Sequence, residues 1–593
     1  MIEINPDRWR LCKANSPSQK LFIERWAELF NRYTIDIYRV RFHNSHTILR
    51  ELLDLITTIE SIELPLKHLQ WVAQEAGQII SRDPLIKDNY NNYYPIIQTE
   101  LNNQSNWNNK EPISKIKYSI KHLVNDLSQN YIEYLINELN NSITYGNLEK
   151  TYKLTGLLAT ESMSNDFNQF YLYSQYHLFF NVSYSDFGDC FKTFKDLINK
   201  PSEDYLVILR IDASLNEDFP SKIFDVEIVK NQNPLYDTAD EKTYLSGGHY
   251  IWYAKININA KDHYIAAIKA AQKLENALDV VNYGFPLQSF SLNPEALVYK
   301  LPANPPKLAR TNLNIPGFYK SNTDWFERIS ENIRSIYEDG RINDSTKDKI
   351  RSSMRYIRQG RAAINPEEQF LNFWIAFEFL MRTEGYRNIL ESIRQFAPKI
   401  MSLYYPRKLL RDFIENLNRL KIKYSDNVRR VLDIDRQFDK KEIGLLYILR
   451  NESLKNELYQ CIDRSEILKY RLNELAISFN TSHNIFNLVN CNKTIIEWHL
   501  ARIYRLRNRI VHGAAHNLII DQLSANLFSY LLEILNEAIY QLPKIAEFNS
   551  IDDFILSYSF AYNTWSNILK NDKNSEIPIQ YIVEPLQLLF QNA

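Results

Sequence analysis

The sequence predicts a mainly α-helical protein that carries a small α/β region in the middle of the chain. Apolar residues recur every three or four positions through much of residues 1–200 and 317–593, the period of a helix with one buried face. Between these stretches, runs rich in β-branched and aromatic residues indicate strands. We therefore predict a helical N-terminal domain (1–200), a small α/β domain (201–305) and a helical C-terminal domain (306–593).

In the N-terminal region, residues 45–62 and 115–141 place isoleucine and leucine at helical spacing, so each predicts a helix. Residues 88–112 lie between them, are rich in asparagine and tyrosine, and end in a proline. This composition predicts a long surface loop. His43 and His46 are also expected in a loop, where a metal site would need further ligands nearby.

In the middle region, residues 205–213, 224–229 and 251–260 are predicted to be strands. Residues 262–283 then have the pattern of one amphipathic helix, and 289–301 favour a further strand. The proline-rich residues 301–316 are predicted to be a linker to the C-terminal domain.

In the C-terminal region, residues 364–382 are apolar on nearly every side, which predicts a central buried helix starting at Pro366 and Glu367. A second predicted helix starts at Thr494 and ends near Gly513. A third amphipathic helix is predicted over 518–542.

Composition limits the possible functions. The formal net charge is -1, so bulk charge gives no support to a nucleic-acid partner, and only local basic patches could. The 4 cysteines form no metal-binding or disulfide pattern, and no phosphate-loop or dinucleotide motif occurs. The N-terminus lacks a secretory signal and no apolar stretch is long enough to span a membrane, so we expect a cytoplasmic protein without membrane contact.

The candidate site lies on the predicted helix around residue 507. Arg505, Asn508 and His512 fall on one face at spacings of three and four residues, and Arg507 lies about 140° from His512 around the helix. Four arginines follow one another without an intervening acid: Arg502, Arg505, Arg507 and Arg509. This face is repulsive unless an anion or a carboxylate lies nearby. Cationic donors beside an imidazole suit a phosphodiester substrate.

These residues resemble a known family. Arg507-Asn508-x-x-x-His512 has the R-N-x-x-x-H form of the R-x4-6-H motif of HEPN domains, and the run LRNRIVHGA resembles the Apea-like HEPN group. The upstream NPEEQFLNFWIAFEFLM resembles that group's W-x-A-L-E pattern, with Phe377 where leucine is common. The resemblance covers roughly residues 340–545.

The resemblance implies a metal-independent endoribonuclease that needs no cofactor. His512 would serve as acid or base, Arg507 would hold the phosphate, and Asn508 would orient either the imidazole or a phosphate oxygen. The 2′-hydroxyl of RNA would attack the adjacent phosphorus and leave a 2′,3′-cyclic phosphate and a 5′-hydroxyl. HEPN proteins pair two such helices, which implies a homodimer through the C-terminal domain.

The resemblance also suggests a setting. Bacterial antiphage proteins carry such a domain as a toxic abortive-infection effector, which here would cut RNA, with tRNA as a candidate substrate. Residues 1–300 would then sense a trigger of phage origin. Two alternatives remain open: a non-catalytic HEPN scaffold that binds RNA or protein, and a regulatory partner of a nucleotidyltransferase.

Further residues are assigned supporting roles. Glu378 lies in the apolar helix and is expected to pair with Arg505 or Arg507, because a buried carboxylate needs a partner. Arg502 and Arg509 are candidate RNA-binding residues. So is a basic stripe, although a solvated helix face would show the same pattern; the stripe consists of Arg351, Arg355 and Arg358.

Overall fold

The computed structural model describes residues 8–31, 43–61, 65–108, 110–213, 220–230, 232–246, 251–284, 290–302, 304–311, 323–363, 365–383, 388–433, 441–513, 520–571 and 579–590. Contacts within the chain define two compact units. One contains Asn15–Leu157 and Ile315–Ala593, and the other contains Arg8–Ala14 and Leu158–Asn314. The first unit combines parts of the predicted N-terminal and C-terminal domains. The structure therefore divides into two units, whereas the sequence suggests three domains.

The helices that precede the sheet confirm a helical N-terminal region. In chain order they are α1 (Trp9–Cys12), α2 (Pro17–Leu29), α3 (Ser45–Ser61), α4 (Lys67–Arg82), α5 (Pro84–Asn89), α6 (Tyr94–Asn102), α7 (Lys110–Thr144), α8 (Leu148–Ser164), α9 (Gln169–Ser174), α10 (Leu178–Asn181) and α11 (Phe187–Ile198). The predicted helices over 45–62 and 115–141 correspond to α3 and to the middle of α7.

Two predictions for this region are wrong. Residues 88–112 do not form one surface loop, because they contain α6, a short 3-10 helix (Gln104–Asn108) and the start of α7. Ile97, Leu101 and Trp107 of this segment are buried, so its few apolar side chains hold it against the core. His46 is also not a loop residue, since it lies in the first turn of α3.

The second unit is built on an antiparallel sheet. Its described strands are β1 (Glu203–Ala213), β2 (Lys222–Ile223), β3 (Val226–Val229), β4 (Ile251–Ala260), β5 (Phe290–Lys300) and β6 (Lys307–Arg310), in the order β2-β3-β4-β1-β5-β6. The predicted strands over 205–213, 224–229, 251–260 and 289–301 are confirmed. The predicted linker is partly wrong, because β6 lies within it and pairs with β5.

A helix covers each face of this sheet. Strand residues alternate sides, so one face carries Val207, Leu209 and Ile211 of β1, which pack against the alanine-rich helix α13 (His263–Gly284). The other face carries a smaller cluster with Ile208 of β1, capped by α12 (Ala239–Leu245). The predicted helix over 262–283 is confirmed as α13.

The C-terminal part of the first unit is helical wherever the structure describes it. Its helices are α14 (Thr323–Glu338), α15 (Asp344–Ala362), α16 (Pro366–Met381), α17 (Ile389–Leu403), α18 (Tyr405–Arg419), α19 (Asp426–Asp433), α20 (Lys441–Arg450), α21 (Glu452–Cys461), α22 (Glu466–Phe479), α23 (Ser482–Gly513), α24 (Ile520–Gln541), α25 (Ile551–Asn571) and α26 (Ile579–Val583). None of the described helices has the length and apolar character needed to cross a membrane.

Helix α16 is the central helix that its composition predicts. Asn365 caps it by accepting a hydrogen bond from the backbone N–H of Glu367 at 2.7 Å, and Pro366 occupies the first turn. Phe370 and Phe377 are fully buried. The neighbouring α15 approaches closely at Gly360, where an added Cβ would lie 2.7 Å from a ring carbon of Phe373. This contact therefore requires glycine.

Helix α23 carries the candidate site, and its predicted start is wrong. It begins at Ser482, and the hydroxyl of Thr494 donates to the carbonyl of Asn490 inside the helix at 2.9 Å. A threonine can bond the preceding turn in this way as well as cap a helix. The predicted end at Gly513 is confirmed, and the predicted helix over 518–542 corresponds to α24.

Candidate functional site

The apolar face of α23 packs as its spacing predicts. Leu500 and Ile503 are fully buried, Ile496 and Leu506 are buried, and Ile510 is half-buried against the same core. This stripe fixes the rotation of the helix about its axis. The arginines that follow one another on its remaining faces therefore meet different surroundings.

Arg502 is buried between two carboxylates of the N-terminal helices. Its Nε donates to both carboxylate oxygens of Glu51 in α3, each at 2.9 Å, and its Nη2 donates to Glu75 in α4 at 2.6 Å. Only 5% of the Arg502 side chain is exposed. An RNA phosphate therefore has no access to this guanidinium, and the prediction that Arg502 binds RNA is wrong.

Arg505 shares the same carboxylate. Its Nη2 donates to Glu51 at 2.7 Å, and 9% of its side chain is exposed. The predicted role of Arg505 as the partner of Glu378 is therefore wrong, because the carboxylate that it binds comes from α3. Its burial lowers the pKa of Arg505 from its ordinary value.

His43 completes this buried network. Its Nε2 lies 2.9 Å from Glu51, and its Nδ1 lies 3.1 Å from the hydroxyl of Thr47. Burial and then the charge of Arg502 lower the pKa of His43, which favours the neutral ring. Burial disfavours the charged form of Glu51, but Arg502, His43 and Arg505 together hold its pKa well below its ordinary value.

A second histidine lies on the same stretch of α23. Nδ1 of His499 lies 2.7 Å from the hydroxyl of Tyr530 in α24. Burial lowers the pKa of His499 to about 3, and the positive charge of Arg502 adds to the effect. His499 is therefore neutral at physiological pH and joins two helices through a hydrogen bond.

The surroundings change at the next turn of α23. Arg507 and Asn508 are both half-buried, and Nη1 of Arg507 donates to Oδ1 of Asn508 at 3.1 Å. Within the described part of the chain, no carboxylate pairs with Arg507. The positive charge of Arg507 is therefore not neutralised by a bound carboxylate, whereas those of Arg502 and Arg505 are. The contact with Asn508 holds the guanidinium against the helix while leaving the amide nitrogen of Asn508 free to donate elsewhere.

The last turn of α23 contains the remaining candidates. Arg509 is exposed, and its charge acts on Asp54 of α3, whose pKa is nevertheless raised by burial. His512 belongs to the last turn of the helix, five residues or about 7.5 Å along the axis from Arg507. The side chain of His512 lies outside what the structure describes.

Glu378 does not have the predicted arginine partner. Its Oε2 accepts a hydrogen bond from the indole N–H of Trp374 at 2.9 Å, one turn earlier in α16. Neither Arg505 nor Arg507 contacts it among the described residues. Glu378 is half-buried rather than enclosed, so the energetic need for a cationic partner is smaller than for a buried carboxylate.

The predicted basic stripe on α15 is exposed. Arg351, Arg355 and Arg358 all lie on the surface, while Ile350 is fully buried on the opposite face. Arg351 pairs with Asp348 of the same helix. The guanidinium carbon of Arg355 lies 5.1 Å from the ring centroid of Tyr356.

A stacked aromatic pair, of which one ring is exposed, adjoins this stripe. The ring of Tyr356 stacks on that of Phe379 with centroids 5.8 Å apart, and 41% of Phe379 is exposed. Exposed arginines beside a stacked aromatic pair are suited to contact a nucleic-acid backbone and a base. A solvated helix face has the same appearance.

The partners of the buried arginines were missed from sequence. The absence of acids near the four arginines indicates that an anion or a carboxylate must lie close by, and for Arg502 and Arg505 it is a carboxylate. Nothing in the sequence identified Glu51 and Glu75, which are separated from Arg502 by 451 and 427 positions. Over the described ranges, no group of three or more His, Cys, Asp or Glu side chains is arranged to hold a metal ion.

Comparison of the chain with protein-family models, curated proteins and solved structures finds no match. The resemblance to HEPN domains therefore depends on the motif residues in α16 and α23.

Proposed function

We propose that the chain is an endoribonuclease whose active site lies at the C-terminal end of α23, with Arg507, Asn508 and His512 as the catalytic residues. One observation carries the proposal. The arginine-rich segment divides at Leu506: before it both guanidinium groups are buried and bonded to carboxylates, and after it Arg507 and Arg509 reach solvent. The motif arginine is therefore a cation that is accessible to a phosphate.

The chemistry follows from these side chains. RNA supplies its own nucleophile, the 2′-hydroxyl, and a base must remove its proton as the oxygen attacks phosphorus. The imidazole of His512, with an ordinary pKa of about 6.5, can exchange that proton near neutral pH. Arg507 would donate to the phosphate oxygens as their charge increases. Asn508, already fixed by Arg507, would direct its amide N–H toward the phosphate or the imidazole.

Both a base and an acid are needed, and each chain supplies one motif histidine. We therefore propose that two copies pair through the C-terminal helices so that both His512 side chains serve one groove. The departing 5′-oxygen would take its proton from the second histidine, and the products would be a 2′,3′-cyclic phosphate and a 5′-hydroxyl. The resemblance that implies this chemistry implies neither a metal ion nor a cofactor.

We propose that exposed arginines hold the RNA backbone. Arg509 is exposed on α23 two positions after Arg507, and Arg355 and Arg358 are exposed on α15 near the stacked rings of Tyr356 and Phe379. Arg351 is partly satisfied by Asp348 and contributes less. An enzyme of this kind inside a cell must be restrained, so we propose an abortive-infection role with a trigger of phage origin and tRNA among the substrates.

The test compares RNA cleavage by the wild-type chain with cleavage by Arg507→Ala and His512→Ala. Removing a group that stabilises the transition state costs roughly 100- to 1,000-fold in rate. We expect both variants to fall in that range, and sequencing the fragments should give 2′,3′-cyclic phosphate ends. Arg430→Ala is the control, because Arg430 is an exposed arginine of α19 outside the motif.

Two outcomes would contradict the proposal. If His512→Ala cleaves RNA and arrests growth as the wild type does, the C-terminal end of α23 is not the active site. If no sample cleaves RNA but the wild type binds it and Arg507→Ala does not, the domain is a non-catalytic RNA-binding scaffold.

A further inference from the structure

A continuous stack of side chains joins α17, α4 and α23. The guanidinium carbon of Arg394 in α17 lies 3.5 Å from the ring centroid of Trp71 in α4. The ring of Trp71 meets that of His68 edge-on at 5.0 Å, and His68 stacks on Tyr504 of α23 at 6.5 Å with an angle of 3°. Tyr504 precedes Arg505 in α23, and the charge of Arg505 acts on the ring of His68 within this stack.

Three polar atoms of this neighbourhood are buried without a hydrogen-bond partner among the described residues. They are Nδ1 of His68, Nε of Arg394 and Nη1 of Arg505. His68 is 5% exposed and the Arg505 side chain 9% exposed. Buried polar atoms in folded proteins nearly always have a partner, and leaving one unsatisfied costs about 1–3 kcal/mol. The groups that carry these atoms act on one another electrostatically, and their unmet hydrogen bonds indicate that a polar occupant is missing.

The charges of the neighbourhood indicate the sign of that occupant. Glu51 and Glu75 are already bonded to Arg502 and Arg505. Glu497 lies within electrostatic range of Arg394 but is paired with Lys493 at 2.5 Å. Arg394 makes no ion pair among the described residues, so its guanidinium is a positive charge without a bonded carboxylate.

Electrostatics within the cluster agree with this reading. Burial lowers the pKa of Arg394, and Arg505 lowers it further despite the opposing carboxylates Glu497 and Glu391. Burial lowers the pKa of His68 to about 4, followed by the charges of Arg505, Arg394 and Lys67. The two guanidinium groups therefore act on each other and on the ring of His68. An anion would relieve this repulsion.

We propose that Arg394, Arg505 and His68 form a binding site for the phosphate group of a small molecule, with Trp71 as its wall. Arg394 and Trp71 are half-buried, so the site opens on their side, while Arg505 and His68 are enclosed. Because His68 and Arg505 are enclosed, we expect the site to take a terminal phosphate group rather than a polynucleotide backbone. This site does not depend on the proposed ribonuclease activity, and its test measures binding rather than RNA cleavage.

The experiment measures thermal unfolding of the full chain with inorganic phosphate, sulfate or a nucleoside triphosphate, against sodium chloride at equal ionic strength. A ligand present at 100 times its dissociation constant raises the midpoint by roughly 2–4 °C in a chain of this size. We expect this rise with phosphate, together with a change in tryptophan emission that Trp71→Phe removes. A larger rise with the nucleoside triphosphate than with inorganic phosphate would show that the site takes the phosphate group of a nucleotide.

The variants Arg394→Gln and Arg394→Lys test the site itself. Arg394→Gln should abolish the phosphate-induced rise, Arg394→Lys should retain part of it, and the exposed control Arg430→Gln should retain all of it. Because the rise is measured against each variant's own midpoint in chloride, a variant that is less stable remains informative. Equal midpoints in phosphate and in chloride would overturn the proposal, because the site would then hold only water. A phosphate-induced rise in Arg394→Gln equal to that of the wild type would also overturn it.

Discussion

The two halves of the arginine-rich segment of α23 contrast sharply although they are neighbours in sequence. Arg502 and Arg505 are buried and bonded to carboxylates of α3 and α4, whereas Arg507 and Arg509 reach solvent and have no such partner among the described residues. Sequence gives all four the same appearance. The difference shows that a basic cluster can combine two arginines whose carboxylate partners fix a helix with two that have no carboxylate partner among the described residues.

The buried half should depend strongly on Glu51. In the variant Glu51→Gln, two buried guanidinium groups lose their shared carboxylate, and removing one partner of a buried ion pair costs about 3–5 kcal/mol. Chemical denaturation measures this loss. Glu133→Gln, which changes an exposed glutamate of α7, should alter the free energy of unfolding little. An equal effect of the two variants would show that the network does not hold α23.

The buried half should also give the protein a pH dependence. His499 has a pKa of about 3 when folded and about 6.5 when unfolded, so the unfolded chain binds more protons below pH 6.5. Its contribution to stability is present above pH 6.5 and is lost as the pH falls toward 3, at about 1.4 kcal/mol per pH unit. His43 shifts in the same direction.

This prediction is checked by comparing the denaturation midpoints of the wild type with those of His499→Gln between pH 7 and 5. Glu24 has a folded pKa of about 8, so its contribution is lost as the pH rises from about 4.5 through 8, the opposite direction. The change of wild-type stability with pH is therefore the sum of these opposing contributions. His499→Gln should reduce the destabilisation on acidification relative to the wild type, and identical slopes would contradict the assignment.

The open half should contribute little to stability. Arg507 is half-buried and bonded only to Asn508 within the described residues, so Arg507→Gln should change the free energy of unfolding by less than about 1 kcal/mol. Arg505→Gln, the matched change in the buried half, should cost several times more. Measuring both variants side by side sharpens the comparison. A large loss in Arg507→Gln would mean that this arginine also serves the fold.

Much of the fold could be predicted because its signals are local. The strands β1, β3, β4 and β5, the helix α13 and the capped start of α16 at Asn365 and Pro366 follow from periodicity and from residues that favour helix starts. Residues 88–112 were misjudged because their asparagines and tyrosines suggested a loop. Three buried apolar side chains, Ile97, Leu101 and Trp107, outweigh that composition.

The candidate site could be predicted only in part, because some of its contacts join residues that are far apart in the chain. The motif on α23 is local, and Arg507 and Asn508 are brought together as expected. The fate of Arg502 and Arg505 depends on carboxylates more than 400 positions earlier in the chain, which no local pattern encodes. The partner of Glu378 was misjudged because an indole N–H one turn away satisfies it without any cation.

The long separation between Glu51 and Arg502 bears on how the chain can mature. A ribosome makes α3 and α4 before α23, so their two acids stay without their cations until the helix more than 400 positions later has been synthesised. An incomplete product that stops before residue 502 cannot close this part of the first unit. A deletion of α3 and α4 would leave the guanidinium groups of Arg502 and Arg505 without their carboxylates, so it would destabilise the helix that carries the proposed catalytic residues.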